Sequence, residues 1–119
     1  MIQGEWLTAT IAQYDEGVED GVLSDEVDLG RAYQRLMVVI PTIDEASVNI
    51  QVSEKSGGTF QDLYLTSLTD GDDDKAITTA SVGGTTWVVP IGGFQFIKIQ
   101  TSAAQTTAAV EFLVCGVRD

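Results

Sequence analysis

Apolar and polar residues along this chain change places with a period of two rather than of three to four. The clearest case is Ala46 to Ser53, where Ala46, Val48, Ile50 and Val52 alternate with Ser47, Asn49, Gln51 and Ser53. Successive side chains of a strand point to opposite sides, so this pattern predicts a strand with a dry face and a wet face. The stretch from Phe94 to Thr101, opened by Gly92-Gly93, predicts another. Ile97 and Ile99 share one side there, while Phe94 and Phe96 share the other with Lys98. Apolar residues on both sides predict an interior strand, covered on both faces for part of its length. The run Ala108 to Val117 is expected to return beside it as an antiparallel partner.

The rest of the chain follows the same habit. Trp6 to Gln13 alternates loosely, with Leu7, Ala9 and Ile11 on one side. Tyr14 to Gly21 places Asp15, Glu16, Glu19 and Asp20 around two glycines and predicts an exposed loop. In Val22 to Leu29 the apolar face of Leu23, Val27 and Leu29 is interrupted by Asp25, which predicts a bulge or an exposed edge. Leu36 to Ile40 is continuously apolar and too short for a typical helix. It predicts a buried strand, ended by Pro41, which has no N–H for the ladder. Thr42 to Glu45 then reads as a connection, Glu54 to Thr59 as a hairpin turn and Phe60 to Thr66 as its returning strand. Ala76 to Val82 predicts a weak strand, Gly83-Gly84 a turn, and Thr86 to Ile91 a strand whose Pro90 marks an edge or an end.

Short strands at intervals of about 8–12 residues, with glycine turns and no helical period, predict an all-β fold. One sheet cannot hide so many apolar faces, whereas two packed face to face can. The expected architecture is an antiparallel β-sandwich, jelly-roll or Ig-like, of about eight to nine strands. A length of 119 residues is most simply one domain spanning residues 1–119, with no linker or internal repeat.

Composition narrows the partners. Eighteen acidic residues against six basic ones give a formal charge of −12. That balance disfavours nucleic acid and anionic membranes and favours solubility, or docking onto a basic protein surface. A solvated acidic exterior accounts for it equally well. No apolar run approaches the length of a membrane span, and the start of the chain lacks the pattern of a signal peptide. Cys115 is the single cysteine, so no intrachain disulfide is possible, and its apolar neighbours predict a small buried hydrophobe. Folding in a reducing cytosol fits this.

The chain has no histidine. Ser-His-Asp and Cys-His catalysis and His-ligated zinc are therefore excluded. No pair of carboxylates is singled out for acid–base work, so the expectation is a protein without enzymatic activity and without a cofactor. Asp70, Asp72 and Asp74 fall at alternate positions, like the first ligands of a calcium loop. Lys75 stands where that loop needs its turn-making glycine, and Ser81 where it needs a bidentate glutamate. A hydrated hairpin tip explains the aspartates as well. Trp6, Trp87, Tyr14, Tyr33 and Tyr64 are candidates for a sugar-stacking platform, with core or interface packing as the commoner role of such residues.

Two segments carry a resemblance. The first runs from Val27-Asp28-Leu29-Gly30 through the strand ending at Pro41, Ala46 to Val52, Ser53-Glu54 and Gly57-Gly58-Thr59-Phe60 to Gln61-Asp62-Leu63-Tyr64. The second is Phe94-Gln95-Phe96-Ile97-Lys98-Ile99, the polar connection Thr101 to Thr107, and a closing strand ending Gly116-Val117-Arg118. In this order of strands and turns the chain resembles small β-sandwich structural proteins of tailed bacteriophages. It departs from them in its first 20 residues and at Asp70 to Asp74. The resemblance implies a virion part, either a head-decoration (cement) protein or a tail or neck accessory. It implies folding in the host cytoplasm, a place on the capsid exterior, the major capsid protein as partner, and a homo-oligomer, dimer or trimer. Trp6, Leu7 and Trp87 are the candidate interface residues, although Trp6 serves equally as the start of the first core strand. A carbohydrate- or receptor-binding module is the alternative.

Overall fold

The computed structural model describes residues 2–66 and 73–118. In chain order its strands are β1 (Ile2–Gln3), β2 (Leu7–Ile11), β3 (Val27–Asp28), β4 (Arg35–Ser53), β5 (Gln61–Asp62), β6 (Tyr64–Thr66), β7 (Asp73–Lys75), β8 (Ile77–Pro90), β9 (Phe96–Thr101) and β10 (Val110–Arg118). Every pairing is antiparallel, and no helix occurs among the described residues. The all-β antiparallel class predicted above is the class observed.

Strand β4 is the spine. Its first half, Arg35 to Thr42, lies between β8 and β10. Its second half, Ala46 to Ser53, lies between β9 on one side and β8 and then β5 on the other. Leu36, Val38 and Ile40 point to the core from the first half, and Ala46, Val48, Ile50 and Val52 from the second. Register shifts between Thr42 and Ser47 let one strand turn from one layer into the other. β10, β2 and β1 complete the first layer, and β9 and β3 the second. Ala9, Ile11, Phe112 and Val114 of the first layer join Ile50, Ile97 and Ile99 of the second in one buried cluster. The layers are also closed at the side away from β4. Ile11 bridges Ser24, and the neighbouring Leu23 bridges Gln100. Buried Ser24 makes that seam with its side chain, accepting from Ile99 N at 2.9 Å while donating to Asp25 O at 2.9 Å.

Three local expectations are corrected. Pro41 does not end a strand. It falls beyond the last β10 pairing, Val39 with Leu113, so the ladder on that side has already stopped, while β8 stays alongside and β4 runs on through Thr42 to Glu45. Gly83-Gly84 is not a turn but part of the 14-residue β8, opposite the β4 bulge. Both glycines have φ near +80°, which the bulge requires and which other residues rarely adopt. β10 does not lie beside β9: it pairs with β4, β2 and β1, while β9 pairs with β4 and β3. Val22 to Leu29 is interrupted at Asp25, as its broken apolar face predicts. Single bridges at Leu23 and Ser24 are followed by an exposed Asp25 and by the short β3.

The hairpin after β4 forms as predicted, with Gln51 opposite Asp62 and Val52 opposite Gln61. Its returning strand breaks at buried Leu63, after which β6 pairs with β7. Of the proposed calcium ligands, Asp70 and Asp72 lie outside the described residues, and Asp74 sits within β7.

Candidate functional site

Alternation gives each layer an outer face, and the two outer faces differ in chemistry. On the first layer, Met37 and Val39 of β4 face out because Leu36, Val38 and Ile40 face in. Met37 stands opposite Val88 of β8, and Val39 opposite Leu113 of β10. Directly opposed residues share a face at roughly 4.5–5.5 Å between Cβ atoms, so the four form one apolar patch across three strands. Val88 is 57% exposed and Leu113 43%. Thr86, opposite Val39, and Thr8, opposite Leu113, flank it on the neighbouring strands, while Arg35 and exposed Glu111 stand on the same face two residues before Met37 and Leu113. Cys115, opposite Met37, is fully buried, with its thiol 3.2 Å from the Gly4 carbonyl oxygen. The outer face of a solvated sheet normally carries polar residues, which makes a contiguous exposed apolar patch informative.

The outer face of the second layer is the polar face read from Ala46 to Ser53, half-buried at Ser47 and Gln51 and buried at Asn49 and Ser53. Asn49 and Gln51 of β4 stand opposite Gln100 and Lys98 of β9. Asp62 of β5 stands opposite Gln51. Its Oδ1 accepts from Gln51 Nε2 at 3.1 Å and from Asn49 Nδ2 at 3.3 Å, and its Oδ2 lies 3.3 Å from Lys75 Nζ. Burial pushes the Asp62 pKa up. The Gln51 amide and Lys75, with Asn49, outweigh it and leave the carboxyl below its ordinary value.

Other carboxylates act as ties between segments. Glu26 accepts from Ser56 Oγ at 2.6 Å and Gly57 N at 2.7 Å, which fastens the hairpin turn to the chain before β3 and lowers the pKa. Asp28 does the same with Gln95 and Gly30. The strongest tie is Asp44, at the bend of β4. Its carboxylate accepts from Thr107 Oγ1 at 2.7 Å, Thr107 N at 3.1 Å, Thr106 N at 2.7 Å and Thr106 Oγ1 at 3.1 Å. Beside it, fully buried Gln105 accepts from Asp44 N at 2.8 Å and donates to Asp44 O and Ala103 O. Together they line a cavity of about 110 Å³ with Thr42, Ile43 and Ala108 to Val110.

Hydrogen bonds from Thr107, then Thr106, bring the Asp44 pKa down from 3.8 to about 2. A depressed carboxyl pKa means that the unfolded chain takes up its proton first as the pH falls. The stabilising contribution is therefore complete above 3.8 and is lost as the pH falls through about 2. Asp44→Asn is expected to lower the melting temperature at about pH 6 and to match the original protein near pH 2, as thermal melts across that range would show. A deficit that stays constant with pH would mean that the carboxylate charge is not what matters.

The candidate interface residues do not come together as one surface. Trp6 is 45% exposed, at the end of β2 that adjoins β10. Leu7 and Trp87 are partly buried and pack against the core, Leu7 opposite Val114 and Trp87 opposite Val38. The aromatic set does not form one platform either. Tyr33 is in the core, its ring against Gly116, whereas Tyr14 and Tyr64 are exposed. Among the described residues, no group of three or more metal-ligating side chains occurs. Sequence reasoning missed the patch of Met37, Val39, Val88 and Leu113. Its signal was present in the unbroken apolar runs Leu36 to Ile40 and Phe112 to Cys115, which fill both faces of their strands.

No protein-family model matches the sequence, and no curated protein sequence matches it. In fold the chain is similar to the crystal structure of YomS, a protein derived from the SPBc2 prophage. The TM-score is 0.55 at 15% identity, over 98% of this chain and 95% of that one. It is similar to part of the IMPa metallopeptidase in complex with T-antigen, with a TM-score of 0.45 at 14% identity over 96% of this chain and 13% of that one. It is similar too to the family 32 CBM of C. perfringens NanJ in complex with galactose, with a TM-score of 0.43 at 11% identity over 96% and 99% of the two chains. At 15% identity the likeness to YomS is one of fold.

Proposed function

We propose that this protein is a non-enzymatic structural part of a tailed-phage particle, a decoration protein that docks on the outside of the shell and bridges neighbouring major capsid subunits. The observation that carries the reading is the apolar patch of Met37, Val39, Val88 and Leu113, held open to solvent on a closed, doubly layered scaffold. The fold likeness to a prophage-derived protein, over nearly the whole of both chains, supports the particle as the setting. An acidic body of charge −12 disfavours packing this face against an identical copy, which favours a shell subunit as the occupant of the patch and leaves the contacts of the expected homo-oligomer to another surface.

The energetics suit repeated rather than single contacts. Fully burying a large aliphatic side chain is worth about 1.5–3 kcal/mol, and here each is already partly covered. One such patch binds weakly once the cost of association is subtracted. Sites repeated by symmetry over a shell raise the effective affinity without any new contact.

The test is sedimentation of the purified protein with empty, expanded heads of its phage. The protein is expected to co-sediment with the heads and to raise their melting temperature. Leu113→Glu, an exposed change that leaves the core intact, is expected to remove at least about 90% of the bound protein, since a charge would be buried unpaired. Heads that ignore the original protein, or bind the Leu113→Glu protein equally well, would overturn the reading.

A further inference from the structure

The outer face of the second layer is built differently from a merely solvated sheet face. Asn is depleted in strands, and long polar side chains on a wet face usually extend into water. Here three carboxamides, Asn49, Gln51 and Gln100, sit side by side on β4 and β9. Asn49 is 97% buried, with only 3% of its surface exposed, and it donates to Asp62. Gln51 Nε2 reaches both Asp62 Oδ1 and, at 3.5 Å, Gln100 Oε1. Asp62 is further fixed by Lys75. Lys98, beside Gln51, lies over the ring of Phe60 with Nζ 4.7 Å from its centroid. Tyr64 stands opposite Lys75 with 56% of its surface exposed. Tyr64 belongs to the separate β6–β7 pair, and Lys75, which stands opposite it there, reaches Asp62 at 3.3 Å and so links its exposed ring to this face.

The geometry points to a binding site for a neutral saccharide on this face. A carboxamide offers two donor hydrogens and a carbonyl oxygen, and the network Asn49–Asp62–Gln51–Gln100 occupies only part of that capacity. A sugar hydroxyl donates and accepts at once, which matches a row of amides and a carboxylate better than a purely basic or purely acidic group does. The hydrogen bonds within the network hold the side chains in place before a ligand arrives, which reduces the ordering cost of binding. The exposed Tyr64 ring supplies a flat apolar surface for the C–H face of a pyranose. Lys75 already neutralises Asp62, which leaves the named side chains of this face no surplus negative charge for a polycation, and the overall charge of −12 repels a polyanion. The site is on the opposite layer from the patch proposed to meet the shell, so both surfaces are available together.

Amide NMR spectra of the uniformly labelled protein test the site. Glucose, galactose, mannose and N-acetylglucosamine are titrated separately to about 50 mM, well above the millimolar dissociation constants that a few hydrogen bonds and one stacking contact provide. At least one sugar is expected to shift the side-chain amides of Asn49, Gln51 and Gln100 and the backbone around Tyr64, and nothing on the first layer. Tyr64→Ala and Gln51→Ala are each expected to weaken binding about tenfold while the rest of the spectrum stays in place. Tyr64 is exposed, so its removal separates loss of the ligand from loss of the fold. No shift with any of the four sugars, shifts mapped elsewhere, or unaltered binding by both variants would overturn the proposal. Leu113→Glu should leave sugar binding unchanged, so failure here and failure of the shell-docking reading are distinguishable.

Discussion

Replacing Phe112 by alanine is expected to cost about 3–5 kcal/mol of folding stability. Phe112 is fully buried on β10 and faces the space between the layers. Its cross-strand neighbour is Ala9, a small residue, so the ring fills room that no larger side chain shares from that position. Interiors are packed to the density of organic crystals, and the surrounding strands cannot collapse into the void without breaking their own ladders. The loss therefore has two parts, the transfer of the ring and the cavity left behind. Urea denaturation should show a lower midpoint with an unchanged slope. Phe112→Leu should recover most of the difference. A loss below about 1.5 kcal/mol for Phe112→Ala would mean that the two layers close up when the ring is removed.

The second large effect is expected at Gly83, and Gly84 provides its control. Both have positive φ, +84° and +77°, so an alanine at either is strained by about 1–2 kcal/mol. Of the two, only Gly83 would bring the new Cβ against a neighbouring strand, onto the carbonyl oxygen of Pro41. That atom belongs to the backbone of β4 at its bend, so relief requires the β4–β8 ribbon to part where Thr42 opposes Gly83. Gly84 has no atom within 4 Å of the same position. Gly83→Ala is accordingly expected to lose at least about 2 kcal/mol more than Gly84→Ala, measured by the same denaturation assay. Equal losses for the two would show that the close approach of Pro41 is not a constraint.

What could be read beforehand was whatever depended on a single strand. The alternation of Ala46 to Val52 placed four side chains inward correctly, and Ile97 and Ile99 likewise. The glycine turn after Ser53 produced its hairpin. Features that depend on the neighbouring strand were not readable. Pro41 and Gly83-Gly84 have the composition of strand ends and turns, yet β4 and β8 stay paired around them, because a bulge uses the same residues as a turn. The position of β10 is not legible either, because nearness in sequence points to β9. The intervening loop instead fastens to Asp44 and Gly21, through Thr106, Thr107 and Gln105. Those hydrogen bonds span some 60 to 90 positions and leave no local trace. The surfaces were partly visible. The amides of the second layer are legible as a polar face, whereas Leu36 to Ile40 predicts only a buried strand and leaves the half-open outer side at Met37 and Val39 unannounced.

The bent spine has a mechanical consequence. Because a single strand belongs to both layers, neither layer has a boundary at which it can melt while the other persists. Opening either one strips partners from the same backbone. The molecule should therefore behave as one all-or-none element, whose centre exchanges its amide hydrogens only when the whole unravels. A part with that property transmits a pull on one surface to the other without yielding in between.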